Sequence, residues 1–130
     1  MNIDKPGYLL RIENKTLFFT VKGSMDLPLL ADIFKDVSGI IQNHLSPSWA
    51  SVVDLSSWQL HTPEVASMIA KFQFWAAKHG QKSELCITSG SVLKKSARQD
   101  LLKNRPESVE YVFVDNLQEA ETWLRDHSFL

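Results

Sequence analysis

The order of hydrophobic patterns constrains what this 130-residue chain can fold into more than any single motif does. Apolar and polar residues alternate over residues 8–13 and again over 17–22, which is the two-residue period of half-buried strands. Asn14 and Lys15 lie between the two runs, and Asn tolerates the left-handed backbone that tight turns require. We therefore predict a β-hairpin near the start of the chain.

Helical and strand-type patterns alternate after the hairpin. Asp26 is placed to cap a helix with one apolar stripe, formed by Leu30, Ile33, Phe34, Val37, Ile40 and Ile41. Further strands are predicted at Ala50 to Leu55, Leu85 to Thr88 and Tyr111 to Val114, and further helices from Pro63 to about His79, from Val92 to Lys103 and from Leu117 after a capping box of Asn116 and Glu119.

The predicted fold class follows from this order. We expect α/β architecture, with one domain over residues 1–130 and a single mixed sheet of about five strands and about four helices. The element order is β-β-α-β-α-β-α-β-α. The sheet should be antiparallel at the hairpin and parallel where right-handed crossovers connect the later strands.

Composition limits the function classes that remain open. The 14 basic and 15 acidic side chains nearly cancel, so no global field favours nucleic acid or an anionic membrane surface. Cys86 is the single cysteine, which excludes an intrachain disulfide. No stretch approaches the ~20 apolar residues of a membrane span, and the amino terminus lacks the apolar run of a secretory signal. We expect a cytoplasmic protein with no nucleic-acid partner and no integral membrane segment.

The polar side chains most suited to form a binding site lie in the segment V-V-D-L-S-S-W-Q-L-H-T-P-E, from Val52 to Glu64. A β-branched strand ends here, and ligands of open α/β sheets usually bind at the carboxyl ends of strands. Asp54 is expected to accept hydrogen bonds from loop amides, and Thr62 is expected to cap the next helix. The candidate interaction residues on this segment are Asp54, Ser56, Ser57, Trp58, His61, Thr62 and Glu64.

The helix that begins at Pro63 is more apolar than a single docking face requires. Its predicted core face consists of Val65, Met68, Ile69, Phe72 and Ala76, with Trp75 at the edge. Three alanines (Ala66, Ala70 and Ala77) widen the apolar arc to about twice the ~100 degrees that one sheet needs, and Phe74 lies nearly opposite Val65. The covering surface is a neighbouring helix, a partner or second subunit in contact with Phe74 and Trp75, or an apolar ligand with Phe74, Trp75 or Trp58 in its pocket wall.

Three stretches are informative together with the element order: V-V-D-L-S-S-W at a strand end, T-P-E at a helix start, and F-V-D-N-L-Q-E-A-E-T-W-L from Phe113 to Leu124. In these features the chain resembles the STAS domain and, more closely, its SpoIIAA-like relatives, which are also likened to the lipid-carrying Sec14 fold. The resemblance implies a noncatalytic domain that binds partner proteins or apolar molecules, often as a homodimer.

The chain departs from the STAS pattern at one functional position. Anti-sigma-factor antagonists of that family carry a phosphorylatable serine in an Asp-Ser-Ser-Gly type of sequence at the start of this helix, whereas this chain has His61, Thr62, Pro63 and Glu64. Thr62 is the only hydroxyl group there. Helix capping is the leading interpretation of Thr62, and a phosphosite is the alternative.

These observations predict a regulatory binding module without catalytic activity, which associates with itself as a homodimer or with another protein. The alternative is a carrier or sensor of an apolar small molecule or lipid. A third hypothesis is a hydrolase that uses Ser57 or Thr62 with His61, although the G-x-S-x-G nucleophile elbow is absent. The histidines lack zinc-ligand spacing and the glycines form no nucleotide-binding motif, so we predict no metal and no cofactor.

The third predicted helix and the residues after it are locally basic. Residues 94–105 carry a net charge of +4, because they contain five basic residues and one acidic residue, Asp100. The basic residues are Lys94, Lys95, Arg98, Lys103 and Arg105. The pattern fits either a solvated helix face or a basic surface that meets an acidic partner.

Overall fold

The computed structural model describes residues 2–45, 47–59 and 62–130. It contains one mixed sheet and four helices within these residues. The strands are β1 (Asn2–Lys5), β2 (Tyr8–Glu13), β3 (Thr16–Val21), β4 (Trp49–Asp54), β5 (Gln81–Ile87) and β6 (Glu110–Val114). The helices are α1 (Leu27–His44), α2 (Pro63–Lys78), α3 (Val92–Leu101) and α4 (Leu117–Asp126). The predicted α/β class is confirmed.

The strands lie in the sheet in the order in which they occur in the chain. The first two pairings, β1 with β2 and β2 with β3, are antiparallel, and the remaining three are parallel. This confirms the predicted mixed sheet with an antiparallel hairpin. The hairpin turn is also confirmed, because Asn14 adopts a φ of 51°.

The sheet has one strand more than the hydrophobic pattern predicts, so the order is β-β-β-α-β-α-β-α-β-α. Ile3 is the one aliphatic side chain of β1, which leaves too few apolar residues for a detectable alternation. Charged residues protect this edge from pairing with other chains: Asp4 accepts from Nζ of Lys22 at 2.6 Å, and Asp36 of α1 accepts from Nζ of Lys5 at 2.7 Å. Hydrogen bonds from Lys5 and Tyr8 lower the pKa of Asp36 below its ordinary 3.8.

The two faces of the sheet carry separate hydrophobic clusters, because successive residues of a strand point to opposite faces. Val53 packs on the face covered by α1 and α2, whereas Val52 packs against Ala120 and Leu124 of α4. Helix α3 lies beside α2, since Arg98 of α3 hydrogen-bonds Gln73 of α2. Among the described residues, no helix combines the length and the apolar character needed to cross a membrane.

The predicted starts of α1 and α4 and the predicted end of α2 are confirmed, whereas α3 ends at Leu101 and not at the predicted Lys103. The carboxylate of Asp26 accepts from the amide of Leu29 at 2.9 Å, and the amide oxygen of Asn116 accepts from Glu119 at 2.9 Å. Gly80 ends α2 with a φ of 98°, and a Cβ atom there would lie 2.1 Å from the carbonyl oxygen of Pro47. Glycine is therefore required for both its conformation and its size.

Candidate functional site

The carboxyl ends of β3 to β6 form one edge of the sheet, because these strands are parallel. Each strand leads into a helix, so the first turns of α1 to α4 are directed to this edge. We call this region the carboxyl edge. It is where open α/β sheets usually bind their ligands.

The loop after β4 is held in place at the carboxyl edge by backbone hydrogen bonds. The amide of Gly23 donates to the carbonyl of Ser57 at 2.9 Å, and the amide of Gln59 donates to the carbonyl of Gly23 at 3.1 Å. The ammonium group of Lys94, in the first turn of α3, donates to the carbonyl of Ser56. The loop is thus connected both to the segment before α1 and to α3.

Asp54 behaves as the sequence predicts. Its carboxylate accepts hydrogen bonds from the amide of Ser56 at 3.0 Å and from the hydroxyl of Ser56 at 2.6 Å. This carboxylate therefore orders its own loop. Ser57 is exposed at the next position. His61 lies outside the described residues, so the hydrolase hypothesis stays untested.

Thr62 and Glu64 are both exposed at the start of α2. The hydroxyl of Thr62 accepts from the amide of Val65 at 3.4 Å, which is the geometry of an N-cap at a long distance. Glu64 lies in the first turn, near the positive end of the helix dipole. The predicted cap is confirmed, and phosphorylation of Thr62 stays a prediction.

Exposed apolar side chains also occur at the carboxyl edge. Large hydrophobic residues with high exposure among the described residues are Leu27, Phe74, Val92, Leu93 and Leu117. All but Phe74 lie in the first turn of a helix that begins at this edge. Val92 is 83% exposed and Leu93 is 65% exposed. The sequence did not identify these two residues as exposed, because the spacing of apolar residues along a helix does not reveal whether those in its first turn are buried.

Helix α2 is covered mainly by elements of its own chain. Phe72 stacks on Phe34 of α1 with ring centroids 4.3 Å apart, and Trp75 stacks on Phe72 and on His79 at 5.4 and 4.0 Å. Trp75 is consequently only partly exposed. Phe74 is 45% exposed, so it alone of these aromatic candidates retains a large free surface.

Arg98 is buried and does not belong to the basic surface that the charge pattern suggests. It is 5% exposed, and its guanidinium pairs with the carboxylate of Glu84 and donates to the side-chain oxygen of Gln73 at 2.7 Å. Burial alone would lower the pKa of Arg98, but the Glu84 carboxylate raises it above the ordinary value. The +4 count therefore overstates the surface charge, because one of its cations is neutralised inside the protein.

The Arg98–Glu84 pair belongs to a larger buried polar cluster between the sheet and the helices α2 and α3. Glu84 is also contacted by the thiol of Cys86 at 3.4 Å and by the hydroxyl of Ser51 at 3.5 Å. Burial and the nearby Glu84 carboxylate raise the pKa of Cys86 to about 12, which makes it a structural thiol and a poor nucleophile. Burial and Glu84 likewise raise the pKa of Tyr111.

An apolar cavity of about 110 Å³ adjoins this cluster. It lies between the sheet and α1, α2 and α3, and Arg98 forms part of its wall. Phe19 and Val53 also form part of the wall, and both are only partly buried. Trp58 is 3% exposed and lines the cavity, whereas Phe74 and Trp75 do not line it; a ligand-binding role for Trp58 stays a prediction.

Comparisons with solved structures assign the architecture. A DUF3478-family protein from Shewanella loihica PV-4, described as having a SpoIIAA-like fold, superposes with a TM-score of 0.73 and 17% identity over 95% of this chain and 98% of that chain. This chain has a SpoIIAA-like fold. The SpoIIAA-like fold also relates it to the unphosphorylated anti-sigma factor antagonist SpoIIAA, with a TM-score of 0.61 and 12% identity over 91% of this chain and 97% of that one.

A third SpoIIAA-like match is an anti-sigma factor antagonist from Mycobacterium paratuberculosis, with a TM-score of 0.57 and 16% identity over 95% of this chain and all of that one (100%). No protein-family model matches the sequence, and no curated protein matches it. Within the described residues, no group of three His, Cys, Asp or Glu side chains is arranged to hold a metal ion.

Proposed function

We propose that this protein is a noncatalytic regulatory module that acts by binding another protein through its carboxyl edge. The observation that carries the proposal is that exposed apolar side chains lie in the first turns of three helices that begin at this edge. Exposed apolar residues beside ordered polar groups are typical of protein-binding sites. Two of the similar structures are anti-sigma factor antagonists by description, which supports a role in protein association.

The proposed interface combines two kinds of contact. Val92 and Leu93 supply an apolar centre, and the loop from Asp54 to Gln59 supplies polar groups beside it. Lys94 bonds the carbonyl of Ser56, so α3 and the loop present one ordered surface. A preformed surface loses little conformational entropy on binding. We propose the cytoplasm as the compartment, since a single buried cysteine suits a reducing environment.

The test is crosslinking from the proposed interface in cells. A photoreactive amino acid at position 93 should capture a partner protein, and the same group at position 82, an exposed residue near the amino end of β5, serves as a control on the opposite edge of the sheet. The purified partner should then bind the wild type and Phe74→Asp alike, and should bind Val92→Asp/Leu93→Asp at least about tenfold more weakly, because charged groups would replace the apolar centre. Equal binding to all three proteins would refute the carboxyl edge as the interface.

Self-association is a separate prediction that rests on Phe74. A large, half-exposed aromatic side chain is a typical anchor of a dimer contact. Light scattering should give a dimer mass for the wild type and a monomer mass for Phe74→Asp, with unchanged far-UV circular dichroism. An identical mass for the two folded proteins would exclude Phe74 as a dimer contact.

A second candidate function is the binding of an apolar small molecule, and the cavity beside Arg98 favours it. Natural cores are packed with few voids larger than a water molecule. The apolar side chains around a gap of about 110 Å³ lack packing partners on one side, so an occupant would stabilise the protein. A carrier or sensor would show this as a rise in the unfolding temperature when its ligand is added.

A further inference from the structure

We infer that a groove beside the carboxyl edge binds a partner segment that carries a large apolar side chain and, two residues away, a lysine or an arginine. The inference rests on the proposed function and names the chemistry of the protein partner. It follows from the position of the groove, from its size and from the carboxylate of Asp54 in its wall.

The groove lies on the face of the sheet that carries α4. Phe18 of β3 and Leu117 in the first turn of α4 line it. Helix α4 packs against β5 and β6, whereas Leu9 of β2 and Thr20 of β3, which also line the groove, are only partly buried. This part of the face is therefore accessible to a partner. Because Asp54 and Leu117 also lie at the carboxyl edge, the groove is continuous with the proposed interface.

The groove has room for one large apolar side chain. Its volume is about 200 Å³. By comparison, an apolar protein cavity of about 150 Å³ holds benzene. The apolar part of the lining includes Leu9, Phe18, Val52, Ile87 and Leu117. A phenyl ring of a partner therefore fits against these side chains and removes their apolar surface from water.

Asp54 gives the groove a negative charge that no described cation neutralises. Its carboxylate accepts from the amide and the hydroxyl of Ser56, which are neutral donors, and no basic side chain of the described residues forms an ion pair with it. Thr20 is opposite Asp54 on the neighbouring strand and lines the same groove, so its hydroxyl oxygen is a further acceptor. A lysine or arginine of the partner would gain a charge-assisted hydrogen bond here.

Arg11 does not reverse the charge of the groove. Its guanidinium pairs with the carboxylate of Glu13 at 2.6 Å and lies 3.9 Å from the centroid of the Phe18 ring. The Arg11–Glu13 pair carries no net charge, and it belongs to β2, whereas Asp54 belongs to β4. The basic group of the partner should therefore bind at the Asp54 end of the groove.

The spacing of the two contacts follows from strand geometry. Val52 and Asp54 are two residues apart in β4, so both side chains point to the face that carries α4. In an extended partner segment, side chains two residues apart also point in one direction and are roughly 6–7 Å apart. An aromatic residue and a basic residue with this spacing can therefore contact Val52 and Asp54 together.

The test compares short peptides in NMR titrations of the full chain, followed at the backbone amides of Thr20 and Leu117. The first peptide, acetyl-Lys-Ala-Phe-Ala-Lys-amide, has a lysine two residues from phenylalanine on both sides, so it can bind in either direction. Glutamine in place of both lysines should weaken binding about fivefold, because the pairing with Asp54 is lost. Glutamate at both places should weaken binding further. Alanine in place of phenylalanine should weaken it about tenfold or more, because the apolar contact is lost.

Two pairs of variants locate the contacts. Asp54→Asn keeps an oxygen that can accept from Ser56 but removes the charge, so it should bind the lysine and glutamine peptides equally. Asp115→Asn is its control, because Asp115 is an exposed acid that also follows a parallel strand and does not line the groove. Leu117→Gln should bind every phenylalanine peptide about threefold or more weakly, because the apolar wall is lost. Leu27→Gln is its control, since Leu27 is also 43% exposed in the first turn of a helix but does not line the groove.

Several results would overturn the inference. Equal affinity of the wild type for the lysine and glutamine peptides, or the same loss of preference in Asp115→Asn, would refute the role of Asp54. Phenethylamine that binds as tightly as the lysine peptide would make a small amine the occupant. Shifts at Thr20 and Leu117 on raising the protein concentration alone would make a second copy of the chain the occupant. If no peptide shifts these amides at millimolar concentration, the groove is not a binding site.

Failure of the groove can be distinguished from failure of the proposed function. A partner captured from position 93 that binds Val92→Asp/Leu93→Asp weakly, but binds Asp54→Asn and Leu117→Gln like the wild type, would refute the groove and leave the proposed function intact. Peptide binding in the groove, together with a partner that binds Val92→Asp/Leu93→Asp like the wild type, would instead refute the apolar centre of the proposed interface.

Discussion

Replacement of Arg98 by methionine is the perturbation with the largest predicted effect on stability. The change removes the partner of the buried Glu84 carboxylate and the donor to Gln73. The remaining contacts of Glu84, from Ser51 at 3.5 Å and Cys86 at 3.4 Å, are too long to compensate a charge. Loss of one partner from a buried ion pair costs about 3–5 kcal/mol, which is a large share of the ~5–15 kcal/mol available to a domain.

The assay is equilibrium unfolding in urea, followed by tryptophan fluorescence and far-UV circular dichroism. Lys95→Met is the matched control, because it also replaces a cationic side chain by methionine in the same helix, but at an exposed position. The double variant Arg98→Met/Glu84→Met removes both charges, so it should regain at least half of the free energy lost by Arg98→Met alone.

Two results would refute this reasoning. A loss for Arg98→Met no larger than that for Lys95→Met would mean that the guanidinium is not buried in an ion pair. Additive losses in the double variant would mean that Arg98 and Glu84 do not interact. If Arg98→Met is too unstable for a full transition, the same comparison can be made in a stabilising osmolyte.

Further predictions concern stability and reactivity. Gly39→Ala should raise the free energy of unfolding by up to about 1 kcal/mol in calorimetry, because a Cβ atom there has no neighbour within 4 Å. Thr62→Ala should lower it by about 1 kcal/mol in urea through the lost cap, and loss of partner binding at unchanged stability would favour a phosphosite instead. Tyr8→Phe should cost about 1.5 kcal/mol at pH 7 through its bond to Asp36. Because the pKa of Asp36 is lowered, its contribution is present above pH 3.8 and is lost as the pH falls through the folded-state value, so wild type and variant should converge in acid. Cys86 should react with thiol reagents only after unfolding, since its pKa is about 12; rapid labelling of native protein would contradict its burial.

Most of the fold could be predicted because its signals are local. The strands of the hairpin alternate with a period of two, and the helices carry caps at Asp26, Thr62 and Asn116. The strands that were missed or shortened lack this signal. β1 is short and polar. β5 begins at Gln81 in the structure, but its first four residues are all polar, so the apolar pattern placed the start of this strand at Leu85.

The candidate site was predicted only in part, since it depends on contacts between distant residues. The position of Asp54 after a strand predicts its loop hydrogen bonds, which are local in sequence. Arg98 instead pairs with Glu84, which lies in another element, and such a pair has no sequence spacing of its own. Glu84 is buried because β5 pairs with a strand on each side and α2 and α3 pack nearby, and its local sequence does not reveal this.

The separate covering of the two sheet faces has a consequence for synthesis on the ribosome. Each strand pairs with strands adjacent in the sequence, so the sheet can grow in step with translation. The face that bears Val52 and Leu85, however, is closed by α4, whose residues emerge late. Until α4 has been synthesised, this apolar face of the sheet is exposed to solvent and prone to aggregation. A product that lacks residues 117–130 should therefore sediment as an aggregate, and a soluble, monodisperse product would show that the first three helices suffice.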